Sequence, residues 1–151
     1  MTATTAQIRW LIRRDLDEVV QIERKSFAEP WIFSQLVAFQ KRRNAIGVVI
    51  EDELSVVGYM LYSLYPGMIQ VDRFAVDPEC RRRGLATAAF NRIIERLKQQ
   101  ERHTAEVIVS ERNDAAHGLL KSCGFRAVRV VRKSGEDDSY VFRFAVQWGE
   151  E

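Results

Sequence analysis

Val71-Asp72-Arg73-Phe74-Ala75-Val76-Asp77-Pro78-Glu79-Cys80-Arg81-Arg82-Arg83-Gly84-Leu85-Ala86 is where the chain leaves a strand pattern, turns through three arginines and a glycine, and enters a helix. A helix start carries unpaired backbone N–H groups and the positive end of the helix dipole. Arg81, Arg82 and Arg83 add like charge there, and a bound anion between them relieves the conflict. The stretch is therefore predicted to cradle a phosphorylated ligand. The competing reading has Asp77 capping a helix that starts at Pro78, with the arginines solvated. That reading leaves Gly84 inside the helix, at a cost of about 1 kcal/mol relative to alanine. It also gives no reason for small residues at 84 and 86 together. Other phosphate loops do not fit, because neither G-x-x-x-x-G-K-[ST] nor G-x-G-x-x-G occurs in the chain.

Outward from this stretch, periodicity predicts alternating strands and helices. Ile8–Ile12 reads as a strand, and a helix capped by Asp15 or Asp17 follows to about Ser26. Ile32–Arg43 reads as a second helix. Ala45–Glu51 and Leu54–Leu64 read as an antiparallel pair joined at Asp52-Glu53, with Gly58 marking a bulge or close approach. Ile69–Val76 is the next strand. A helix from about Arg83 to Gln100 presents Leu85, Ala89, Ile93, Ile94 and Leu97 on one stripe. Thr104–Val109 is a buried strand, and Asn113 caps a short helix that Gly124 stops. Ala127–Arg132 and Ser139–Val146 form a closing hairpin around Ser134–Asp137. The order β-α-α-β-β-β-α-β-α-β-β implies an α/β fold, a mixed sheet with helices on both faces. The Gly149-Glu150-Glu151 end is expected to fray.

The 151 residues suit one domain, residues 1–151, able to bury about 70% of the unfolded chain's surface. A formal charge of +2 is too small for nonspecific nucleic-acid binding, although Lys41-Arg42-Arg43 and Arg81-Arg82-Arg83 are local basic patches. Cys80 and Cys123 form no metal-ligand spacing, so no metal site is expected. The start, Met1–Ala6, has neither a basic nor an apolar signal region, and no apolar stretch approaches 18 residues. The expectation is a cytoplasmic protein without a membrane or nucleic-acid partner, monomeric or homodimeric.

Arg81-x-x-Gly84-x-Ala86 after a strand resembles the pyrophosphate loop of the GNAT acetyltransferase superfamily. The order of elements also matches that superfamily. Ile22-Glu23 with Phe27 and Pro30-Trp31, Asn113 before a short helix, Gly124-Phe125, and Asp137-Asp138 before the last strand look like the RimI type, the ribosomal-protein-alanine N-acetyltransferases. The resemblance covers most of residues 8–147 and implies a mostly antiparallel central sheet. It implies acetyl-CoA as co-substrate, with the main chain of Phe74, Ala75 and Val76 on the pantetheine arm. The turn of Arg81, Arg82, Arg83, Gly84, Leu85, Ala86 and Thr87 would take the pyrophosphate, and Asn113 the pantetheine. Phe27, Pro30 and Trp31 would bind the acceptor, a protein or peptide N-terminus. Strand N–H groups beside a fixed carbonyl are donors already aimed at its developing negative charge.

Two positions depart from the type. Its amine-deprotonating glutamate falls on Ile108 and its thiolate-protonating tyrosine on Leu120, and neither can move a proton. Glu106 is the first substitute base, two residues from Ile108 on the same strand face; Asp72 is the second. His117 reads as an exposed helix histidine, and Tyr140 is a remaining acid. The expected chemistry is direct attack of a neutral amine on the thioester in a ternary complex. The alternatives are a small-molecule amine as acceptor, or an acyl-CoA sensor without turnover.

Overall fold

The computed structural model describes residues 6–132 and 134–147; the expectations for Met1–Thr5 and for Gly149–Glu151 lie outside these residues. In chain order the elements are β1 (Gln7–Trp10), α1 (Leu16–Ser26), α2 (Phe33–Gln40), β2 (Ala45–Asp52), β3 (Ser55–Tyr65) and β4 (Met68–Val76). They continue with α3 (Leu85–Gln99), β5 (Thr104–Ser110), α4 (Asp114–Ser122), β6 (Arg126–Val131) and β7 (Ser139–Ala145). One seven-stranded sheet runs β1-β2-β3-β4-β5-β7-β6. Every neighbouring pair is antiparallel except β4 and β5, which are parallel and joined through α3. This is the mixed α/β architecture that the order of elements implies, with the mostly antiparallel sheet that the resemblance implies.

The sheet is covered on both faces. Leu16, Val19 and Ile22 of α1 and Leu36 and Phe39 of α2 pack with Val49, Tyr59, Leu61 and Ala75. Leu85, Ala89, Phe90, Ile93 and Leu97 of α3 pack on the other face with Met60, Tyr62, Val71, Val107 and Phe142, joined by Leu120 of α4. Burying a side chain such as Phe90 contributes about 1.5–3 kcal/mol, and its ring meets Phe74 and Phe125 edge-on at 4.8 and 5.6 Å. Among the described residues no helix is long and apolar enough to cross a membrane.

Several boundaries differ from the sequence expectation. The helix expected from Arg83 begins at Leu85, because Gly84 stands at φ +78° and cannot continue a right-handed helix. Asp77 does cap Pro78–Cys80, accepting from Glu79 N, but the result is a single short turn. α2 is shorter than Ile32–Arg43, and β1 stops at Trp10 rather than Ile12. Asp15 occupies the N-cap position of α1 without capping it through its side chain. Its carboxylate instead accepts from the Ile12 amide at 2.8 Å and from two Arg9 nitrogens at 2.9 Å. Burial alone would push Asp15 up, but these bonds outweigh it and hold the carboxyl below its ordinary range. The β2–β3 turn centres on Glu53 and Leu54, both at positive φ, as a two-residue hairpin requires.

The register shifts at three places among the described residues, two of them along β3 and one between β6 and β7 at Ala127/Arg129. Ile50 pairs with Gly58 and Glu51 with Val56, leaving Val57 as the extra residue of a bulge. A Cβ at Gly58 would stand 2.9 Å from Ile50 Cδ1 and 3.1 Å from Ala75 O, so glycine permits the close approach of β3 to β4. Leu61 pairs with Arg73 and Tyr62 with Val71, leaving Asp72 as the bulged residue of β4.

Candidate active site

β4 and β5 pair only from Met68↔Thr104 to Val71↔Val107. Beyond that point β4 stays with β3 to Val76, while β5 stays with β7 to Ser110. The parallel pair therefore opens into a split immediately after the Asp72 bulge. The β4 edge along Phe74, Ala75 and Val76 faces no partner strand on the β5 side, and its main chain is open to an extended ligand arm. The Phe74 ring packs against Phe90, so its contribution to the split is backbone.

The turn at the end of β4 supplies the second part. Arg82 has φ +67° and Gly84 φ +78°, and the first helical bond of α3 runs from Ala88 N to Gly84 O. The N–H groups of Leu85, Ala86 and Thr87 precede that bond and point out of the helix start. A Cβ placed on Gly84 would meet nothing within 4 Å, so the space over the turn is open. Outward N–H groups, the helix dipole and open space are the features that would receive an anion.

The arginines require a correction to the idea that all three await an anion. Arg81 Nε donates to Val76 O at 3.0 Å and its Nη2 to Ser26 Oγ at 3.3 Å, which ties the turn to β4 and α1. Arg83 pairs with Asp52 at 2.8 Å, fastening the turn to the β2–β3 hairpin. Arg82 alone of the three has no recorded partner among the described residues. Backbone geometry, more than free arginine charge, makes the cradle.

Asn113 caps α4, its Oδ1 accepting from Ala116 N at 3.1 Å, which leaves its amide nitrogen outside the cap. The α1–α2 connection brings Phe27 and Trp31 together over β4: the Arg73 guanidinium lies 4.1 Å from the Phe27 ring centre and 5.1 Å from that of Trp31. Pro30 sits between them in the chain.

Neither substitute base is free. Glu106 accepts from Arg143 Nε at 2.7 Å and Nη2 at 2.6 Å. Asp72 accepts from Ser63 Oγ at 2.6 Å and Gln70 Nε2 at 3.0 Å, and Arg42 reaches the same Ser63 Oγ at 3.2 Å. Ile108 is 54% exposed and Leu120 fully buried, so the first lies open beside the split and the second belongs to the core. His117 Nε2 lies 3.0 Å from Ser110 O and its ring packs on Tyr140 and Phe142. Burial raises the Cys123 thiol, which disfavours a thiolate nucleophile there. No cluster of metal-ligating side chains occurs among the described residues.

The sequence reading named Glu23 only within the RimI-type resemblance and gave it no role, yet it is heavily bonded among the described residues. Glu23 is fully buried and accepts from Arg73 Nη2 at 2.5 Å, Arg73 Nε at 3.1 Å, Trp31 N at 2.7 Å and the Tyr59 hydroxyl. Burial first, then the adjacent Glu23 charge, pushes the Tyr59 hydroxyl far above its ordinary range, so Tyr59 stays protonated as a donor. A signal was present: Glu23 falls four residues after Val19 and seven after Leu16, on the apolar stripe of α1.

Comparison with known proteins agrees with this geometry. The acetyltransferase (GNAT) family matches residues 16–125. A Bacillus subtilis (strain 168) protein described as a candidate [ribosomal protein bS18]-alanine N-acetyltransferase is 28% identical over 142 residues, covering 89% of this chain and 92% of that one. The crystal structure of the ribosomal-protein-S18-alanine N-acetyltransferase from Escherichia coli superposes with a TM-score of 0.87 at 21% identity, over 97% of each chain. Arabidopsis thaliana NAA60, solved with acetyl-CoA, gives 0.81 at 17% identity, over 94% of this chain and all of that one. A structure of NAA60 with a bisubstrate analogue gives 0.82 at 19% identity, over 93% and 98%. The split sheet, the left-handed glycine turn and the family match over residues 16–125 together establish that the chain belongs to the GNAT family and is an acetyl-CoA-dependent acetyltransferase.

Proposed function

We propose that the acceptor is the α-amine of a protein or peptide N-terminus, and that the chain works as one domain. The observation that carries this reading is the state of three carboxylates near the split. Glu23 is paired by Arg73, Asp72 is held by Ser63 and Gln70, and Glu106 is paired by Arg143. A polyamine needs uncompensated negative charge to replace its hydration, and none of these three offers it. The Phe27 and Trp31 rings, each with the Arg73 guanidinium over it, suit a chain end with one amine instead. The relatives named for N-terminal alanine acetylation favour the same acceptor.

Acetyl-CoA supplies an acetyl thioester and leaves as a thiol. The proposed cofactor contacts are the main chain of Phe74, Ala75 and Val76, the N–H groups from Arg82 to Thr87, and Asn113. Proton removal needs little from the protein. An α-amine has a pKa of about 7.7–8.0 and a lysine about 10.4, so near neutral pH the neutral fraction differs by more than a hundredfold, roughly 3.5 kcal/mol. Glu106 accepts from two Arg143 nitrogens at 2.7 and 2.6 Å, which argues that it holds Arg143 in place. A thiol pKa near 8.5 lets the thiolate leave without a dedicated acid, consistent with leucine at position 120.

One peptide with a free alanine N-terminus and an internal lysine, incubated with acetyl-CoA and read by mass spectrometry, tests the reading, with spermidine in a parallel reaction. Acetylation is expected at the N-terminus, with an apparent pKa that follows the acceptor. Modification mainly on lysine, or turnover confined to spermidine, rejects the N-terminal acceptor.

A further inference from the structure

Arg73 and Glu23 form a unit that cofactor binding does not explain. Arg73 lies on β4 directly after the bulge and directly before Phe74, where β4 has lost β5 and the split begins. Its guanidinium lies over the rings of both Phe27 and Trp31, and its Nε and Nη2 are bound by Glu23. The Arg73 side chain keeps 19% exposure while that of Glu23 has none. All of the unit's contact with solvent on this pair is therefore through arginine. A guanidinium has five N–H donors in a rigid fork, and the edge that carries Nη1 lies outside the Glu23 bonds. Stacking and ion pairing leave it little rotational freedom, so this donor edge is fixed before any ligand arrives. It is a hydrogen-bond donor next to the start of the split, and the one carboxylate beside it, Glu23, is already compensated by the arginine itself.

We propose that Arg73 determines acceptor specificity by donating a hydrogen bond to the first carbonyl of the acceptor peptide, and that Glu23 is the positioning residue that holds the guanidinium and the Trp31 amide in place for it. This deepens the N-terminal reading and rests on it. An N-terminal α-amine is always two bonds from such a carbonyl, through the α-carbon; a lysine side chain or an alkylamine is not. The contact therefore separates chain ends from other amines by structure, independently of amine pKa.

The test compares an alanine-initiated peptide with its alkene isostere, in which CH=CH replaces the first CO–NH, for wild type and for Arg73→Met. Dividing the wild-type ratio of the two acceptors by the variant's ratio cancels their different amine pKa values, which contribute the same factor to both proteins. The wild type is expected to prefer the peptide about tenfold or more in kcat/KM, as loss of a hydrogen bond to a charged donor predicts. Arg73→Met is expected to lower that preference about tenfold relative to wild type, mainly through the acceptor KM, with acetyl-CoA affinity by calorimetry held within about twofold. Arg73→Lys, which keeps charge but not the fork, should restore only part of it. Where Arg73→Met fails to fold, Glu23→Gln/Arg73→Met, which buries no unpaired charge, replaces it with the same expected ratio. For Glu23, the Glu23→Gln variant should raise the acceptor KM and speed hydrogen exchange at the Trp31 amide while leaving α3 unchanged.

A wild type without preference, or a folded Arg73 variant that keeps it, overturns the proposal alone. Equal loss on both acceptors does the same, because it makes Arg73 merely structural. A wild type that acetylates no peptide overturns the N-terminal reading and this one with it.

Discussion

From Val76 to Thr87 the chain offers main-chain N–H groups, a left-handed glycine and open space, whereas around Phe27 and Trp31 it offers side chains held by a buried carboxylate. The first region is built from neighbours in sequence. The second needs α1, β3, β4 and the α1–α2 connection together, because Glu23 binds Tyr59 and Arg73 across 36 and 50 residues. A cradle for a constant ligand, the pyrophosphate, can be local backbone; a surface that must choose among amines uses side chains whose positions the whole fold sets. The two regions meet at the end of α1, where Lys25 pairs with Asp77 at 3.1 Å and Arg81 reaches Ser26.

That contrast predicts opposite responses to mutation. The largest expected effect is Glu23→Ala, which leaves Arg73 unpaired and the Tyr59 hydroxyl and Trp31 amide without their acceptor. Breaking a buried ion pair from one side costs about 3–5 kcal/mol, to be seen in denaturant unfolding, while the folded fraction keeps its affinity for acetyl-CoA. Equal loss of cofactor affinity would mean that the two regions are not separate.

Gly84→Glu comes next and acts on the other side. It puts a non-glycine residue at φ +78°, a strain of about 1–2 kcal/mol, and a negative charge in the space proposed for the pyrophosphate. Acetyl-CoA affinity by calorimetry should fall about a hundredfold or more, roughly 2.7 kcal/mol, with the Trp31 amide still protected from exchange. Gly84→Asn, which tolerates the left-handed region better, should lose less. Unchanged affinity in folded Gly84→Glu would remove the cradle assignment.

The smallest effect belongs to the junction. The Glu79 amide, opposed by burial and helped by Lys25, holds the Asp77 carboxyl below its ordinary range. A lowered folded pKa gives stability that is complete above the unfolded value of about 3.9 and is lost as pH falls through the folded value. Asp77→Asn keeps the capping oxygen and should cost less than about 1 kcal/mol at pH 7. Its deficit relative to wild type should shrink below about pH 4; a deficit independent of pH would show that the charge does not join the two regions.

Residue order alone specified the strand, the turn and the helix between Val71 and Gln99, because backbone conformation there depends on adjacent residues: Gly84 admits a positive φ, and the apolar stripe from Leu85 to Leu97 selects the buried face. The order of elements also determined the mixed sheet, since each period of two or 3.6 is a local property. Tertiary structure alone decided which charges are free. Glu106 looked available two residues from Ile108, but the register of β5 against β7 sets it opposite Arg143. Asp72 read as the second substitute base, but the bulge that places it brings Ser63 within 2.6 Å. Arg81 looked ready for phosphate and instead braces Val76 and Ser26. Pairing of this kind depends on strand register and helix docking over tens of residues, and no periodicity within one segment encodes it.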